Sequence, residues 1–491
     1  MSAWVLLPIF FPILAGACLF LPLLRQNVFQ RQIYVAAVVV CNAAFVFFVA
    51  RLGDVSLRVF EITPVISFYL QVDALARFFI VFASLLWIPI TVFAFGYIQR
   101  ADSKAVRYFA FFLMTYGVII GAALAGNFFT LYLFYELATL LTYPLVIHAG
   151  TPAALKAGAK YLIYSFFGAG LAFLCFVVVA YFGTTTDFIP GGVFTPEVFA
   201  ANEGLLLAMF LLAFLGFGTK AYIWPLFDWV PASYPTAPAP SAALLSGIVS
   251  KIAVIAVMRI TFYIFGVDFL QGSWAQLTLI GMALFTVFAG SMLAYKEKLL
   301  KRRLAYSSVS QLAYILFGIL LFNPIALLGA MLHIVFHGII KVVLFLCAGA
   351  IEQKTGLQYV NQLRGIGKSM PITMWCFAIA AIALVGAPPT GGFLSKWNLA
   401  IGSIGSAFPV LGIVGAGLLI ISALLTAGYL IPIFSAAFFP GSDFDYTKVV
   451  KTEPGKRMTI PLCVLSALCL LLGMFPGVII DSIRGISALL F

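Results

Sequence analysis

The chain has 491 residues, of which 64% are hydrophobic and only 9% are Asp, Glu, Lys or Arg, with a mean hydropathy of +1.13. Apolar runs of about 18 residues or more recur along it, which places it among polytopic membrane proteins and leaves little room for a water-soluble domain. Its formal charge of +12 fits a membrane topology better than a nucleic-acid surface.

In chain order, apolar runs near 4–24, 33–50, 72–97, 107–125, 127–147, 158–182, 205–230, 241–266, 274–295, 305–320, 324–349, 371–400, 407–437 and 459–480 predict fourteen transmembrane helices in an all-α fold. The first run lacks a basic leader and a small-residue cleavage site, so it reads as a retained helix. The runs 205–230 and 371–400 carry proline and glycine where a continuous helix is expected. The longest polar connections are about 51–71, 183–204, 351–370 and 438–458, and the second holds Asp187, Glu197 and Glu203 without Lys or Arg. Cys18, Cys41, Cys175, Cys347, Cys376, Cys463 and Cys469 form no close CxxC pair and read as small buried hydrophobes.

The basic residues alternate from loop to loop. Even-numbered loops hold only Arg51 and Arg58. Odd-numbered loops and their adjoining helix ends hold nineteen Lys or Arg, among them Arg25, Arg31, Lys104, Arg107, Lys298, Lys301, Arg302, Arg303, Lys354, Arg364, Lys451 and Arg457. Cations favour the inner side, so both termini are expected on the outer side of an inner (plasma) membrane.

A few ionisable residues fall inside apolar runs: Glu136, Lys220, Lys251, Lys341 and Lys396. Such groups are expensive in lipid unless they face protein or water, and they mark functional pathways. Glu136 sits in FTLYLFYELATLLTYPLVIH. Lys251 has Arg259 eight residues on, close to the same helix face. Arginine holds its proton too tightly for a relay, which suits Arg259 to anchoring, whereas a buried lysine can exchange one. His333, His337 and Lys341 recur at i, i+4, i+8 and form one polar stripe on a helix. Histidine exchanges protons near neutral pH, so the stripe reads as a proton wire. No third ligand accompanies the two histidines, and no metal site is expected. Lys396 follows the second interrupted run and suits a terminal relay. Asp73 with Arg77 four residues later predicts a local helix ion pair. Asp228, between Phe227 and Trp229, either tunes access or caps a half-helix.

The two interrupted runs correspond. Pro225, Pro231 and Pro235 follow Lys220, while Pro388 and Pro389 precede Lys396. Proline removes an amide donor and clashes with the preceding turn. In a membrane the freed carbonyls are tolerated where the break lines a protein cavity. Matched breaks beside matched lysines fit two five-helix units of opposite orientation, the pattern of an inverted repeat.

At these motifs the chain resembles the antiporter-like membrane subunits shared by respiratory complex I, multisubunit Na+/H+ antiporters (in their D-type subunits) and membrane-bound hydrogenases. The resemblance covers roughly residues 70–480. YELATLLTYPL around Glu136, KAYIWPLFDWVPASYPTAPAPSAALLSG at 220–247, KRRLAYSSVSQLAY at 301–314, HIVFHGIIKVVLFLCAG and PPTGGFLSKW carry it. It implies fourteen helices with two inverted five-helix repeats, a Glu136–Lys220 pair acting as a switch, a Lys251 relay, the His333/His337/Lys341 wire and an exit-side Lys396. A lysine at 396 is similar to the D type. Related proteins commonly carry histidines in the first break where this chain has Phe227 and Tyr234.

The expected organisation is a three-helix segment at 1–106, a first repeat at 107–266, a second at 267–437, and a loop with a C-terminal helix at 438–491. The expected function is proton translocation by a non-catalytic subunit of a membrane oxidoreductase complex. No cofactor is expected in this chain; flavin, iron–sulfur or metal centres are expected in partner subunits. Two alternatives remain: a monovalent cation (Na+)/H+ antiporter module without redox activity, and a structural membrane subunit with an inactive relay.

Overall fold

The computed structural model describes residues 2–22, 27–63, 65–98, 104–445, 447 and 449–491. Arg25 and the last two residues of the first expected span lie outside the described residues. A 3-10 turn leads into α1 (Leu7–Cys18). The helix α2 (Val28–Ala50) begins where the Asn27 side chain accepts from the Phe29 and Gln30 amides. A β-hairpin follows, β1 (Val55–Glu61) antiparallel to β2 (Ser67–Val72), with Val55 opposite Val72 and an irregularity between Arg58 and Phe60. The hairpin occupies the connection at 51–71, an addition to the helical expectation. The alternation of VSLRVFE and SFYLQV suits a half-buried ribbon.

Next come α3 (Ala74–Tyr97), α4 (Ala105–Ala123), α5 (Phe128–Val146), α6 (Pro152–Phe182) and α7 (Pro196–Gly218). Caps set several starts: Asn127 accepts from the Thr130 amide, while Thr151 and Thr195 each precede a proline in the first turn. The chain then leaves helical geometry, with Tyr222 in the left-handed region, and resumes at α8 (Val230–Thr236). A single helix, α9 (Ala239–Phe265), contains π-helical stretches at Leu245–Val249 and Arg259–Phe265. Such bulges concentrate at functional positions.

The remaining long helices are α10 (Trp274–Lys296), α11 (Leu300–Leu320), α12 (Pro324–Thr355), α13 (Pro371–Val385), α14 (Gly391–Ile404), α15 (Pro409–Phe438), α16 (Lys456–Met474) and α17 (Gly477–Leu490). The helix expected at 305–320 starts five residues earlier, because its first turn is the cationic LKRR segment rather than an apolar one. The last expected span, 459–480, ends at Met474. Pro476 separates it from α17, a helix missing from the expected organisation.

The protein is therefore an all-α polytopic membrane protein apart from the hairpin. Eleven described helices are long and apolar enough to cross a membrane: α2 to α7, α9, α10, α12, α15 and α16. Two of them form the core. The most apolar windows of α9 and α12 are 100% buried, against 28% for α7 and 33% for α15. A helix that is apolar all round belongs inside a bundle. Lys251 and Arg259 on α9 and Lys341 on α12 are thereby placed in protein rather than against lipid.

The hairpin clamps the end of the bundle opposite the cationic loops. Gln71 donates its amide to the Leu124 carbonyl at 2.7 Å, and Gly126 donates to Tyr69 at 2.9 Å. Arg58 pairs with Asp187 at 2.6 Å. The acidic connection at 183–204 thus meets the one nearby loop that carries a cation.

Candidate functional site: a buried line of ionisable groups

The line begins on α5. Glu136 is half-buried, and its Oε1 is buried without a hydrogen-bond partner among protein atoms. Lys220 lies in the break after α7, within electrostatic range of Glu136. The two do not form a direct ion pair. Lys220 Nζ donates instead to the Tyr135 carbonyl at 2.8 Å and stands 3.5 Å from the centre of the Tyr135 ring. The backbone next to Glu136 and an aromatic face hold the ammonium, leaving the carboxylate one residue away.

Past the break, Trp229 Nε1 donates to the Thr219 carbonyl at 3.1 Å, tying α8 to the end of α7. Tyr234 is buried, and its hydroxyl shares a hydrogen bond with that of Tyr222. Pro231 lies in the first turn of α8 and Pro235 inside it, while Pro225 lies in the non-helical link. Asp228 faces outward: it pairs with Lys160 and its side chain is 55% exposed. It caps no half-helix.

Lys251 is fully buried on α9. Its Nζ donates to the Ser246 carbonyl in the π-helical turn, lies 3.4 Å from Ser250 Oγ and 2.9 Å from His337 Nδ1. The contact joins the two central helices. On α12 the His337 and His333 rings stack at 5.6 Å and 15°. His333 Nδ1 is 2.9 Å from Ser395 Oγ on α14, and Tyr314 of α11 stacks on its ring at 5.6 Å. Lys396 adjoins Ser395 and stands 5.3 Å from the centre of the Tyr314 ring. Its Nζ donates to the Leu384 and Val385 carbonyls at 2.6 and 3.1 Å. These carbonyls end α13, where the chain turns at Gly386 through Pro388 and Pro389. A cation there meets both unpaired acceptors and the negative end of the helix dipole.

Lys341 is the third member of the stripe on α12, but it turns to α11. It donates to the Leu304 carbonyl at 3.0 Å and to Ser307 Oγ. Lys251 therefore meets the stripe at His337, not at Lys341. The Nε2 atoms of His333 and His337 and both amide atoms of Gln311 are buried with no protein partner. Buried polar atoms rarely stay unpaired, and solvent is the usual partner.

The Asp73–Arg77 pair does not form. Arg77 pairs with Asp54 at 2.6 Å. Asp73 caps α3 through the Ala76 amide at 2.8 Å and grips Arg259 with both oxygens, one contact being Nη2 to Oδ1 at 2.8 Å. The helix N-cap geometry turns Asp73 away from its i+4 neighbour and towards α9. Arg259 is buried on that helix and also packs on the Tyr263 ring.

Sequence reasoning missed Tyr135, Tyr314, Ser307 and Ser395. Tyr314 and Ser307 lie in a polar run, YSSVSQLAY, within the expected span at 305–320, which was a usable signal. Nothing in the sequence singles out Ser395 or the Tyr135 carbonyl.

A polytopic bundle with lysines and histidines lined up through its two central helices defines an ion-handling membrane protein. Residues 125–426 match the family described as NADH:quinone oxidoreductase/Mrp antiporter, transmembrane. The chain belongs to that family. It is 31% identical to the N subunit of the NADH-quinone oxidoreductase of Desulforudis audaxviator, over 84% of this chain and 83% of that one. It is 30% identical to the D subunit of the Na(+)/H(+) antiporter of Alkalihalophilus pseudofirmus, over 96% of this chain and 94% of that one. Its fold is similar to a chain in the Mrp complex from Dietzia sp., with a TM-score of 0.85 at 22% identity, covering 100% of this chain and 98% of that one.

Proposed function

We propose that this protein is a proton-translocating subunit of a multisubunit complex in the inner (plasma) membrane, driven by redox chemistry in partner subunits. Protons are taken up on the inner side near Glu136 and Lys220. They pass through Lys251, His337 and His333, with Lys341 alongside, and leave through Lys396. The observation that carries this reading is the run of buried contacts from Lys251 to His337, His333 and Ser395, which crosses from α9 to α12 and α14, with Lys396 beside the Tyr314 ring that stacks on His333. The unpaired Nε2 atoms suit bridging water between relay members. Arg259 anchors α9 through Asp73, and Tyr234 with Tyr222 takes the place of histidine in the first break. Redox cofactors belong to the partners.

The same reading includes two inverted repeats. Counting each broken pair as one span, α1 to α16 make fourteen crossings. Residues 107–266 hold α4 to α9 and residues 267–437 hold α10 to α15, five crossings each. An odd number of crossings makes the second unit start on the opposite side from the first. Residues 1–106 precede the repeats and 438–491 follow them. The cationic loops then lie inside, with both termini outside.

His337→Leu tests the line, since it removes the contact that joins the central helices while filling similar space. The intact complex should assemble at native abundance and lose most proton transport in sealed vesicles. Native transport at native abundance would remove His337 from the path.

A second reading, a monovalent cation/proton antiporter module without redox activity, is favoured by the near full-length match to the D subunit of an antiporter. An imposed sodium gradient separates the two readings.

A further inference from the structure

The ion pair between Lys301 and Glu352 takes no part in the line from Lys251 to Lys396. Lys301 lies in the first turn of α11 and Glu352 near the end of α12, and their side chains touch. Gln358 Nε2 donates to Glu352 Oε1 at 2.7 Å. The pair stands between two cavities on the side of the cationic loops. One, of about 520 Å³, is walled by Tyr97, His148, the Pro235–Pro238 link, Lys301 and Glu352. The other, of about 220 Å³, includes Pro235, Arg302, Ala348 and Gln358 with the same pair. Glu352 is the one carboxylate in either wall among the described residues, and its side chain is 25% exposed.

From this pair, two helices lead to Lys341. On α12, positions 341 and 352 are separated by close to three whole turns, so both side chains leave the same face. On α11 the path is shorter. Leu304, whose carbonyl receives the Lys341 ammonium, is one turn beyond Lys301. Lys301, the partner of a carboxylate in contact with solvent, thus lies one helical turn along α11 from the residue whose carbonyl anchors a buried lysine.

We propose that Glu352, positioned by Lys301, is the proton-collecting group of a mouth on the cationic side that feeds Lys341 directly, separate from uptake at Glu136 and Lys220. The carboxylate takes a proton from solvent in the cavity to become the acid. It then gives that proton, through intervening solvent, to Lys341 as neutral amine, which becomes ammonium while the carboxylate is regenerated. The proposal rests on the reading of Lys341 as a relay member. The titratable and charged groups walling the two cavities around Glu352 are Lys301 and Arg302 on α11, Tyr97 at the end of α3 and His148 after α5.

The test is proton flux in vesicles holding the intact complex, read from acid to alkaline pH for E352Q, E352D, K301Q/E352Q and K341A at matched complex abundance. Glu352→Gln should slow transport several-fold, most at alkaline pH, where capture of scarce protons limits the rate. Glu352→Asp should recover most of it. The double variant leaves no unpaired ion behind and should remain as slow as Glu352→Gln. Recovery of native rate by the double variant would make the pair a strut and overturn the proposal, as would native flux in Glu352→Gln at every pH. If Lys341→Ala is slow while Glu352→Gln is native, the mouth alone is wrong. Native flux in Lys341→Ala would bring down the relay reading itself.

Discussion

Lys396 combines two properties at one atom: it neutralises the carbonyl end of α13 and it stands at the end of the proposed relay. The two are separable by substitution. Lys396→Arg keeps a permanent cation at the half-helix end but exchanges protons poorly, whereas Lys396→Ala removes both. Both variants should lose proton transport by at least roughly tenfold, the equivalent of about 1.4 kcal/mol in a barrier, and only the alanine should also lower thermal stability. Equal, native flux in both would place Lys396 outside the path. Its importance was legible in the sequence, since a lysine after a broken apolar run is costly in lipid and marks a route for ions. Its partners were not, because the Leu384 and Val385 backbone carbonyls that hold it have no signature in a sequence. Asp73 shows the opposite error. The i+4 spacing to Arg77 suggested a local pair, but its partner lies 186 residues away on another helix.

Elements carry the alignment of these residues. The bidentate Asp73–Arg259 contact fixes α9, the helix that carries Lys251, to the start of α3. Asp73→Asn preserves an oxygen for the cap but leaves the buried Arg259 charge uncompensated. It should cost about 3 kcal/mol, measured as a fall in unfolding temperature in detergent. Adding Arg259→Leu should recover part of the loss, and no recovery would mean that the charge was not the cause. The hairpin is held by the buried Asn127, whose side chain caps α5 and donates to the Ser67 carbonyl at 2.9 Å. Asn127→Ala should cost about 1–2 kcal/mol and speed amide exchange in 55–72 before the helices respond. The long apolar runs were easy to read because bilayer thickness sets their length. The hairpin and α17 were not, since a short ribbon and a fourteen-residue helix carry no comparable length signal.

At the scale of the whole molecule, the proposed sides of the membrane rest on the loop cations and on the hairpin at the opposite end. Single cysteines placed at positions 61 and 354 in a background without reactive thiols should behave oppositely towards a membrane-impermeant reagent. Intact cells should label position 61, and only permeabilised cells should label position 354. The reverse pattern would invert the direction of every step proposed above. In the proposed function, a buried line of Glu, Lys and His side chains moves protons when partner subunits transfer electrons. The most direct test supplies sealed vesicles of the intact complex with candidate quinone-, ferredoxin- or hydrogen-linked reductants, and separately with an imposed sodium gradient, while pH and sodium flux are read. Proton movement driven by electron transfer without any response to the sodium gradient is the predicted result. Proton movement driven by sodium in the absence of any reductant would contradict it and identify an antiporter module.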